Sequence, residues 1–132
     1  MRFLVCEDDY ITSQVMLELM LAFGRCDLAE DGRKAVDLFD TAMNEQDPYT
    51  IIFLDIMMPE LDGQGVLFKI REIENAHGII GLDASKIIMT TALDDYQNIK
   101  TAFNHQADGY LVKPVEKDKI IELLNEFGMI AI

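Results

Sequence analysis

The sequence has few basic residues and no long hydrophobic run. Eleven Lys and Arg, of which only four are Arg, stand against 24 Asp and Glu, which leaves a net charge of −13 over 132 residues. Because nucleic acids and anionic membranes are bound mainly through clustered Lys and Arg, we expect no direct contact with nucleic acid. No stretch approaches the roughly 18 apolar residues of a membrane span. No signal-peptide pattern opens the chain, so we also expect no membrane insertion.

Cysteine and histidine are scarce as well. Cys6 and Cys26 each lie inside an apolar run, which favours two buried free thiols over a disulfide and predicts a reducing cytoplasm. His77 and His105 have no second ligand at metal-binding spacing, so surface roles are expected for both. Neither is a plausible phosphodonor, and any donor chemistry must come from a partner.

Length and composition limit the folds that the chain can adopt. A chain of 132 residues fits one domain, and 50% hydrophobic residues are enough for one core. We expect a single domain over residues 1–132, with no linker to an output domain. Short apolar runs alternate with stretches of helical spacing, which predicts parallel strands joined by crossover helices. The predicted strands are 2–6, 25–29, 50–54, 86–90 and 109–112, of which the third and fourth are apolar on both faces and therefore central.

Apolar residues at helical spacing predict the face that each helix packs against the sheet. A final helix is predicted at 117–127, and residues 76–85 are predicted to form a surface loop. The predicted inward stripes are Ile11, Val15 and Leu19; Ala35, Leu38 and Phe39; Val66, Ile70 and Ile73; Ile99, Ala102 and Phe103; and Ile120, Ile121, Leu124 and Phe127.

The predicted strand ends carry an unusual number of charges. In an open parallel sheet, ligands bind at the carboxyl ends of the strands where the winding changes direction. Acidic residues stand at two of these ends, a hydroxyl at a third and a cation at a fourth. The residues are Glu7, Asp8 and Asp9 after the first strand, Asp55 after the third, Thr91 after the fourth and Lys113, followed by Pro114, after the fifth.

These side chains suit a phosphoryl-transfer site. Carboxylates brought together repel one another, and a hard divalent cation such as Mg²⁺ relieves that repulsion. Glu7, Asp8 and Asp55 would supply the oxygens, while Lys113 and Thr91 could hold the oxygens of a phosphoryl group. A carboxylate is a recognised nucleophile for this reaction, so the pattern favours phosphoryl transfer onto Asp55.

Four segments of the sequence form a pattern that is specific when they are taken together. The segments are FLVCEDD at 3–9, LDIMMPELDG at 54–63, IIMTTA at 87–92 and GYLVKP at 109–114. They resemble the receiver domain of the two-component response-regulator family, of the stand-alone, chemotaxis-Y-like kind. The resemblance covers essentially the whole chain.

The resemblance implies a phosphorylation chemistry. A histidine kinase or histidine phosphotransfer protein would donate its phosphoryl group to Asp55. The cofactor would be Mg²⁺ (or Mn²⁺), held by Asp8, Asp55 and the main-chain carbonyl of Met57, and by Glu7 through water. Asp9 would be a helix cap or a bystander, and the same capping role is expected of Asp62. The chain would be a phosphoacceptor rather than an enzyme.

The resemblance also implies a fold and an output. The fold would be a flavodoxin-like, doubly wound α/β sheet of order 2-1-3-4-5 with helices on both faces. The hydroxyl of Thr91 and the ring of Tyr110 would act as the switch, changing the face built from the fourth helix, fifth strand and fifth helix. Thr90 is expected on the opposite face of its strand. The Lys113–Pro114 bond resembles the family's cis peptide, and the downstream target is unknown.

Other interpretations stay open at this point. Haloacid dehalogenase-like phosphatases also form an aspartyl phosphate, but they need a second Asp where this chain has Met57. A pseudo-receiver that is never phosphorylated is another alternative. A messenger, a phosphorelay intermediate and a phosphate sink are equally compatible with the sequence. Phe103, Tyr110 and Ile120 could be either an exposed apolar patch or core. Because Met57 and Leu93 cannot hydrogen-bond an attacking water, we expect slow autodephosphorylation.

Overall fold

A computed structural model describes residues 1–58, 61–92, 96–104 and 106–130 of the chain. Within these ranges, strands and helices alternate as predicted, and a short 3-10 helix, Gly81–Asp83, lies in the predicted loop. The strands are β1 (Arg2–Cys6), β2 (Arg25–Ala29), β3 (Ile51–Asp55), β4 (Lys86–Thr91) and β5 (Gly109–Val112). The helices are α1 (Tyr10–Leu21), α2 (Gly32–Asn44), α3 (Gly63–Ala76), α4 (Tyr96–Asn104) and α5 (Lys117–Glu126).

The strands form one parallel sheet in the order β2-β1-β3-β4-β5. This confirms the predicted topology. Since β1 pairs with both β2 and β3, the chain reverses its winding between β1 and β3. The carboxyl ends of those two strands therefore border the crevice where such sheets bind ligands.

Two strand boundaries differ from the prediction. The predicted third strand was 50–54, and the observed β3 is Ile51–Asp55; β4 runs one residue further than predicted, to Thr91. The reason is that the ladder continues: Asp55 pairs with Thr90, and the Ile56 N–H donates to the Thr90 carbonyl at 3.1 Å. Asp55 and Thr91 are thus the last residues of their strands and do not follow them.

The sheet has an apolar core on each face. On one face, Ile52 and Leu54 of β3 lie in a cluster with Phe39 of α2 and Ile70 of α3. On the other face, Phe53 lies in a second cluster with buried residues of α1 and α5. All five residues of β3 are buried, as predicted for a central strand. This double burial fixes the position of the carboxyl end of β3.

The predicted inward faces are confirmed for most of the helices. The fully buried members of the stripes are Ala35 and Phe39 in α2, Val66 and Ile70 in α3, Ala102 in α4, and Ile120 and Leu124 in α5. The prediction for α4 was partly wrong, because Phe103 is 45% exposed.

The predicted face of α1 was wrong at two of its three positions, and of these three Leu19 alone packs against the core. Ile11 is 75% exposed and Val15 is 46% exposed, whereas Met16 and Met20 are buried in the core. The physical reason is that apolar residues are distributed around the whole of this helix, so spacing alone selects no face. No helix in the described part of the chain has both the length and the apolar character needed to cross a membrane.

Candidate functional site

The site lies at the carboxyl ends of β1, β3 and β5. Glu7 and Asp8 directly follow β1, Asp55 is the last residue of β3, and Lys113 directly follows β5. The backbone fixes the end of β1, since the Glu7 N–H donates to the Ala29 carbonyl at 2.9 Å and thereby extends the β1–β2 pairing. The three strand ends bring together the acidic and basic side chains that the sequence predicted.

The three carboxylates form one cluster. Glu7, Asp8 and Asp55 each place a carboxylate oxygen within 4.8 Å of the others. Glu7 and Asp55 are buried, at 4% and 5% exposure, whereas Asp8 is exposed. A set of negatively charged oxygen donors, one of which faces solvent, suits Mg²⁺, because this cation keeps several waters when it binds. The donor set therefore fits the predicted cation.

Lys113 pairs with both buried carboxylates. Its Nζ lies 2.6 Å from Glu7 Oε1 and 3.1 Å from Asp55 Oδ2. Burial lowers the pKa of this ammonium, but the hydrogen bond to Glu7 and the charge of Asp55 outweigh that effect and raise the pKa overall. Lys113 is consequently a permanent positive charge at the site.

The pKa of Glu7 is raised as well, but for this acid a raised pKa favours the neutral form. Burial, followed by the nearby Asp55 carboxyl, raises the pKa of Glu7 to about 7. The contact with Lys113 and the N–H of Asp9, which donates to Glu7 Oε2 at 3.1 Å, only partly oppose this rise. At Glu7, burial and the neighbouring Asp55 carboxyl together outweigh the effect of the lysine.

Asp55 is held by contacts at both carboxylate oxygens. Its Oδ2 faces Lys113, and its Oδ1 accepts a hydrogen bond from the Met57 N–H at 3.1 Å. The Met57 side chain is 70% exposed. A buried carboxylate held at both oxygens, beside a cation and two further acids, has the arrangement that a nucleophile would need.

A family model described as "response regulator receiver domain" matches residues 3–125. The chain belongs to this family. The resemblance that the sequence motifs indicated is confirmed, and the acidic cluster occupies the sheet crevice of a receiver domain.

Curated relatives include a histidine protein kinase and a chemotaxis protein. The chain is 30% identical over 128 residues to an osmosensing histidine protein kinase of Saccharomyces cerevisiae, covering 96% of this chain and 10% of that protein. It is 29% identical over 124 residues to the chemotaxis protein CheY of Halobacterium salinarum, covering 93% and 92%. The chain thus spans about a tenth of the kinase. The prediction of a single domain without an output domain stays a prediction.

Solved structures agree with the fold. The receiver domain of a Francisella response regulator is 28% identical, with a TM-score of 0.72 over 96% of this chain and 94% of that one. A Pseudomonas aeruginosa sensor kinase receiver domain, with a magnesium ion in its active-site cleft, is 24% identical with a TM-score of 0.77 over 96% and 95%. A Saccharomyces cerevisiae receiver domain, in complex with a histidine phosphotransfer protein, is 22% identical with a TM-score of 0.81 over 97% and 88%.

Thr91 is the residue that the family resemblance assigns to the switch of the receiver domain. It is 2% exposed, and its hydroxyl donates to the Ala92 carbonyl at 3.2 Å. Its own carbonyl accepts the Lys113 N–H at 2.8 Å, which links the end of β4 to the residue that contacts Asp55. The structure thus connects Thr91 to the site through the backbone, and its switch role stays a prediction.

Tyr110 lies on the outer side of β5. It is 47% exposed and meets Phe103 of α4 edge to face, with ring centroids 6.3 Å apart. Phe103 is 45% exposed, whereas Ile120 is fully buried. Of the three apolar residues left undecided by the sequence, two belong to a surface and one to the core. The switch role of Tyr110 stays a prediction.

The structure confirms two predicted helix caps and shows the isomer of the Lys113–Pro114 bond, which the sequence alone does not determine. Asp9 accepts the Thr12 N–H at 2.9 Å at the start of α1, and Asp62 accepts the Gly65 N–H at 2.9 Å at the start of α3. The Lys113–Pro114 peptide bond is cis. Asp9 is therefore a cap, as expected, and not a member of the carboxylate cluster.

Other predictions have mixed outcomes. Cys6 and Cys26 are free thiols as predicted, although Cys26 is only half-buried. His77 is exposed at the end of α3, as predicted. Leu93 and His105 lie outside the described residues, and so do Pro59 and Glu60 of the quoted motif. The metal-ligand role of the Met57 carbonyl and the cytoplasmic location stay predictions.

Sequence reasoning missed one hydroxyl residue near the site, Thr12. Thr12 and Thr90 lie around a narrow gap together with Glu7 and Lys113, on the α1 side of the sheet. The placement of Thr90 agrees with its predicted position on the face opposite Thr91. The sequence signal that could have indicated Thr12 is the Asp9 cap, because the first turn of α1 after that cap brings Thr12 toward the strand ends.

Proposed function

We propose that this receiver domain accepts a phosphoryl group on Asp55 from a phosphohistidine of a histidine kinase or histidine phosphotransfer protein. One observation carries the proposal. The buried carboxylate of Asp55 is held between the Lys113 ammonium and the Met57 N–H, both at 3.1 Å, beside two further carboxylates. A carboxylate positioned in this way has the reactivity and the electrostatic support that phosphoryl transfer needs.

The transfer step exchanges one bond to phosphorus for another. An oxygen of Asp55 attacks the phosphorus, and the phosphorus–nitrogen bond of the donor phosphohistidine breaks. The electron pair of that bond returns to the imidazole nitrogen. Proton exchange with solvent then leaves a neutral histidine ring. Lys113, at 3.1 Å from Asp55 Oδ2, compensates the negative charge that arrives with the phosphoryl oxygens.

Glu7, Asp8 and Asp55 would hold Mg²⁺, or Mn²⁺ in its place, with the carbonyl of Met57 as a further ligand. The cation supplies charge neutralisation at the phosphoryl oxygens, which is the main requirement of this chemistry. The residues fit the cation because their oxygens lie within 4.8 Å of one another and one of them faces solvent. The magnesium ion of the Pseudomonas aeruginosa receiver domain supports the assignment by analogy.

The proposed partners follow from the chemistry and from the relatives. His77, the one histidine among the described residues, is exposed at the end of α3 and does not lie at the strand ends that carry Asp55, so the proposed donor is a histidine outside this domain. The yeast relative is a histidine protein kinase, and one structural neighbour was solved with a histidine phosphotransfer protein. Phosphorylation would then be transmitted through Thr91 and Tyr110 to the face formed by α4, β5 and α5.

The chain would act as a phosphoacceptor and not as a turnover enzyme. Met57 occupies the position where a dehalogenase-like phosphatase needs its second Asp, and a thioether cannot act as a general acid. Hydrolysis of the acyl phosphate should therefore be slow. This feature favours the receiver function over the phosphatase alternative.

Intact mass spectrometry after incubation with acetyl phosphate tests the proposal. The native chain should gain one phosphoryl adduct in the presence of Mg²⁺ and little without it. Asp55→Asn should gain none, whereas Asp40→Asn, which changes an exposed acid on α2, should behave as the native chain does. The absence of an adduct on the folded native chain would support the pseudo-receiver alternative.

A further inference from the structure

Met57 combines exposure with contact to the phosphoacceptor. The chain has eight methionines, and Met57 is the most exposed of them at 70%. Its neighbour Met58 is only 9% exposed. The backbone N–H of Met57 donates to Asp55 Oδ1 at 3.1 Å. The most accessible thioether of the protein therefore belongs to the residue that holds the carboxylate.

A thioether is a weak hydrogen-bond acceptor that hydroperoxides convert to a sulfoxide. In that step a sulfur lone pair attacks one peroxide oxygen, a sulfur–oxygen bond forms and the oxygen–oxygen bond breaks. The sulfur loses two electrons, and hydrogen peroxide is reduced to water once the proton of the transferred oxygen moves to the departing hydroxide. The product carries a strongly polar S=O group where an apolar side chain stood.

We propose that Met57 is a site of reversible oxidation by hydroperoxides, and that its sulfoxide shortens the lifetime of the phosphoryl group on Asp55. This inference rests on the proposed function, because it requires an aspartyl phosphate. The site is the side chain two residues after the phosphoacceptor, and the modifying reagent is a hydroperoxide. Reduction of the sulfoxide by a thiol-dependent reductase would restore the starting state.

The expected effect on hydrolysis follows from the hydrogen bonds that the thioether and the sulfoxide forms of Met57 can accept. In hydrolysis, a water oxygen attacks the phosphorus, the bond between phosphorus and the Asp55 oxygen breaks, and inorganic phosphate leaves. The native thioether does not accept a useful hydrogen bond from that water. A sulfoxide oxygen accepts one and can orient the water for attack, which lowers the barrier.

Most of the other sulfur atoms are poor competitors for the oxidant. Met16, Met20 and Met89 are at most 2% exposed. Burial raises the pKa of Cys26 to about 12, so this cysteine has little of the thiolate that reacts with peroxide. Met1 is 45% exposed and should also oxidise, but it precedes the opposite end of β1, where its carbonyl accepts the Arg25 N–H. At the end of the sheet that carries Asp55, oxidation should therefore concentrate at Met57.

The first arm of the test maps the modification itself. The full chain is treated with hydrogen peroxide, quenched, treated with a thiol reductant that reverses cysteine oxidation but not the sulfoxide, and analysed by peptide mass spectrometry. Met57 should oxidise at least about tenfold faster than its neighbour Met58, because accessibility governs the reaction. Equal rates at the two positions would overturn the proposal. This readout does not depend on phosphorylation.

The second arm measures the phosphoryl lifetime. Oxidised and untreated chains are loaded with acetyl phosphate and Mg²⁺, desalted, and followed by intact mass spectrometry. The adduct should decay about threefold to tenfold faster on the oxidised chain, which corresponds to about 1 kcal/mol of activation free energy. In Met57→Leu, peroxide treatment should leave that variant's own decay rate unchanged.

The outcomes separate this inference from the proposed function. If the untreated native chain gains no adduct, the proposed function fails and this inference fails with it. If the untreated chain is phosphorylated but the oxidised chain decays at the same rate, this inference alone is wrong. An equal acceleration in peroxide-treated Met57→Leu would also contradict it, since the effect would then come from another residue.

Discussion

The ammonium of Lys113 lies 3.1 Å from Oδ2 of Asp55, across the gap between the ends of β5 and β3. The same ammonium lies 2.6 Å from Glu7, so one cation serves two buried carboxylates. Charges buried this deeply are maintained only when they are paired. The contact therefore compensates both buried carboxylates and also places a positive charge beside the proposed phosphoacceptor.

Replacing this lysine should separate phosphorylation from folding. Lys113→Gln removes the charge that compensates incoming phosphoryl oxygens, so the rate of adduct formation with acetyl phosphate should fall at least about tenfold. Intact mass spectrometry at several times gives the rate, and circular dichroism shows whether the chain is folded. Lys119→Gln is the matched control, because Lys119 is 61% exposed. An unchanged rate in folded Lys113→Gln would contradict the role assigned to the lysine.

A polar side chain at position 57 should shorten the life of the aspartyl phosphate. Met57→Asn introduces an amide that can hydrogen-bond an attacking water, where the thioether cannot. Decay of the adduct should become about fivefold faster, which corresponds to about 1 kcal/mol of activation free energy. The decay is followed by intact mass spectrometry after removal of acetyl phosphate. Slower or equal decay would show that Met57 does not limit hydrolysis.

The opposite end of the sheet depends on a buried ion pair between Arg71 and Glu74. Arg71 Nη1 lies 2.7 Å from Glu74 Oε1, and the Glu74 side chain is 3% exposed. Arg71 also donates to the carbonyls of Ser85 and Gln106 at 2.9 Å and 2.7 Å. Arg71→Met leaves the buried carboxylate without its cation, and this should cost about 3–5 kcal/mol of unfolding free energy.

Urea denaturation measures that cost, and two variants control for it. Arg33→Met removes an exposed arginine of α2 and should change the unfolding free energy little. The double variant Arg71→Met/Glu74→Met should recover part of the loss, because no unpaired charge remains buried. If the double variant were as unstable as the single one, the hydrogen bonds from Arg71 to the loops, and not the ion pair, would account for most of the lost unfolding free energy.

The two thiols should react slowly until the chain unfolds. Burial raises the pKa of Cys6 well above its ordinary value and that of Cys26 to about 12. At pH 8 the thiolate fraction of Cys26 is then about one in ten thousand, against about a quarter for an unperturbed thiol. Since both pKa values are raised by folding, their contribution to stability is present below the unfolded pKa and is lost as the pH rises above it. Iodoacetamide labelling at pH 8 should accelerate in urea, whereas fast labelling of the folded chain would contradict the burial.

Much of the fold could be predicted because the local patterns are unambiguous. The runs that form β1, β2 and β5 are each followed by a charged residue, namely Glu7, Glu30 and Lys113, and their observed limits match the prediction. The buried face of α1 could not be predicted, because apolar side chains surround that helix and tertiary packing alone selects Met16 and Met20.

The members of the site were predictable, whereas their contacts were not. Position at strand ends placed Glu7, Asp55 and Lys113 in one crevice. The bridging of both carboxylates by Lys113 depends on rotamers and on distances across strands, which spacing does not encode. The direction of the Thr91 hydroxyl, toward the Ala92 carbonyl, is likewise a local conformational choice.

Chemical mapping of the phosphoryl group tests the central claim most directly. The chain is loaded with acetyl phosphate and Mg²⁺, the acyl phosphate is reduced with borohydride, and the resulting homoserine is located by peptide mass spectrometry. Homoserine at position 55 alone is the result expected from the positioned carboxylate. Homoserine at position 8, or phosphate that resists borohydride, would show that Asp55 is not the phosphoacceptor.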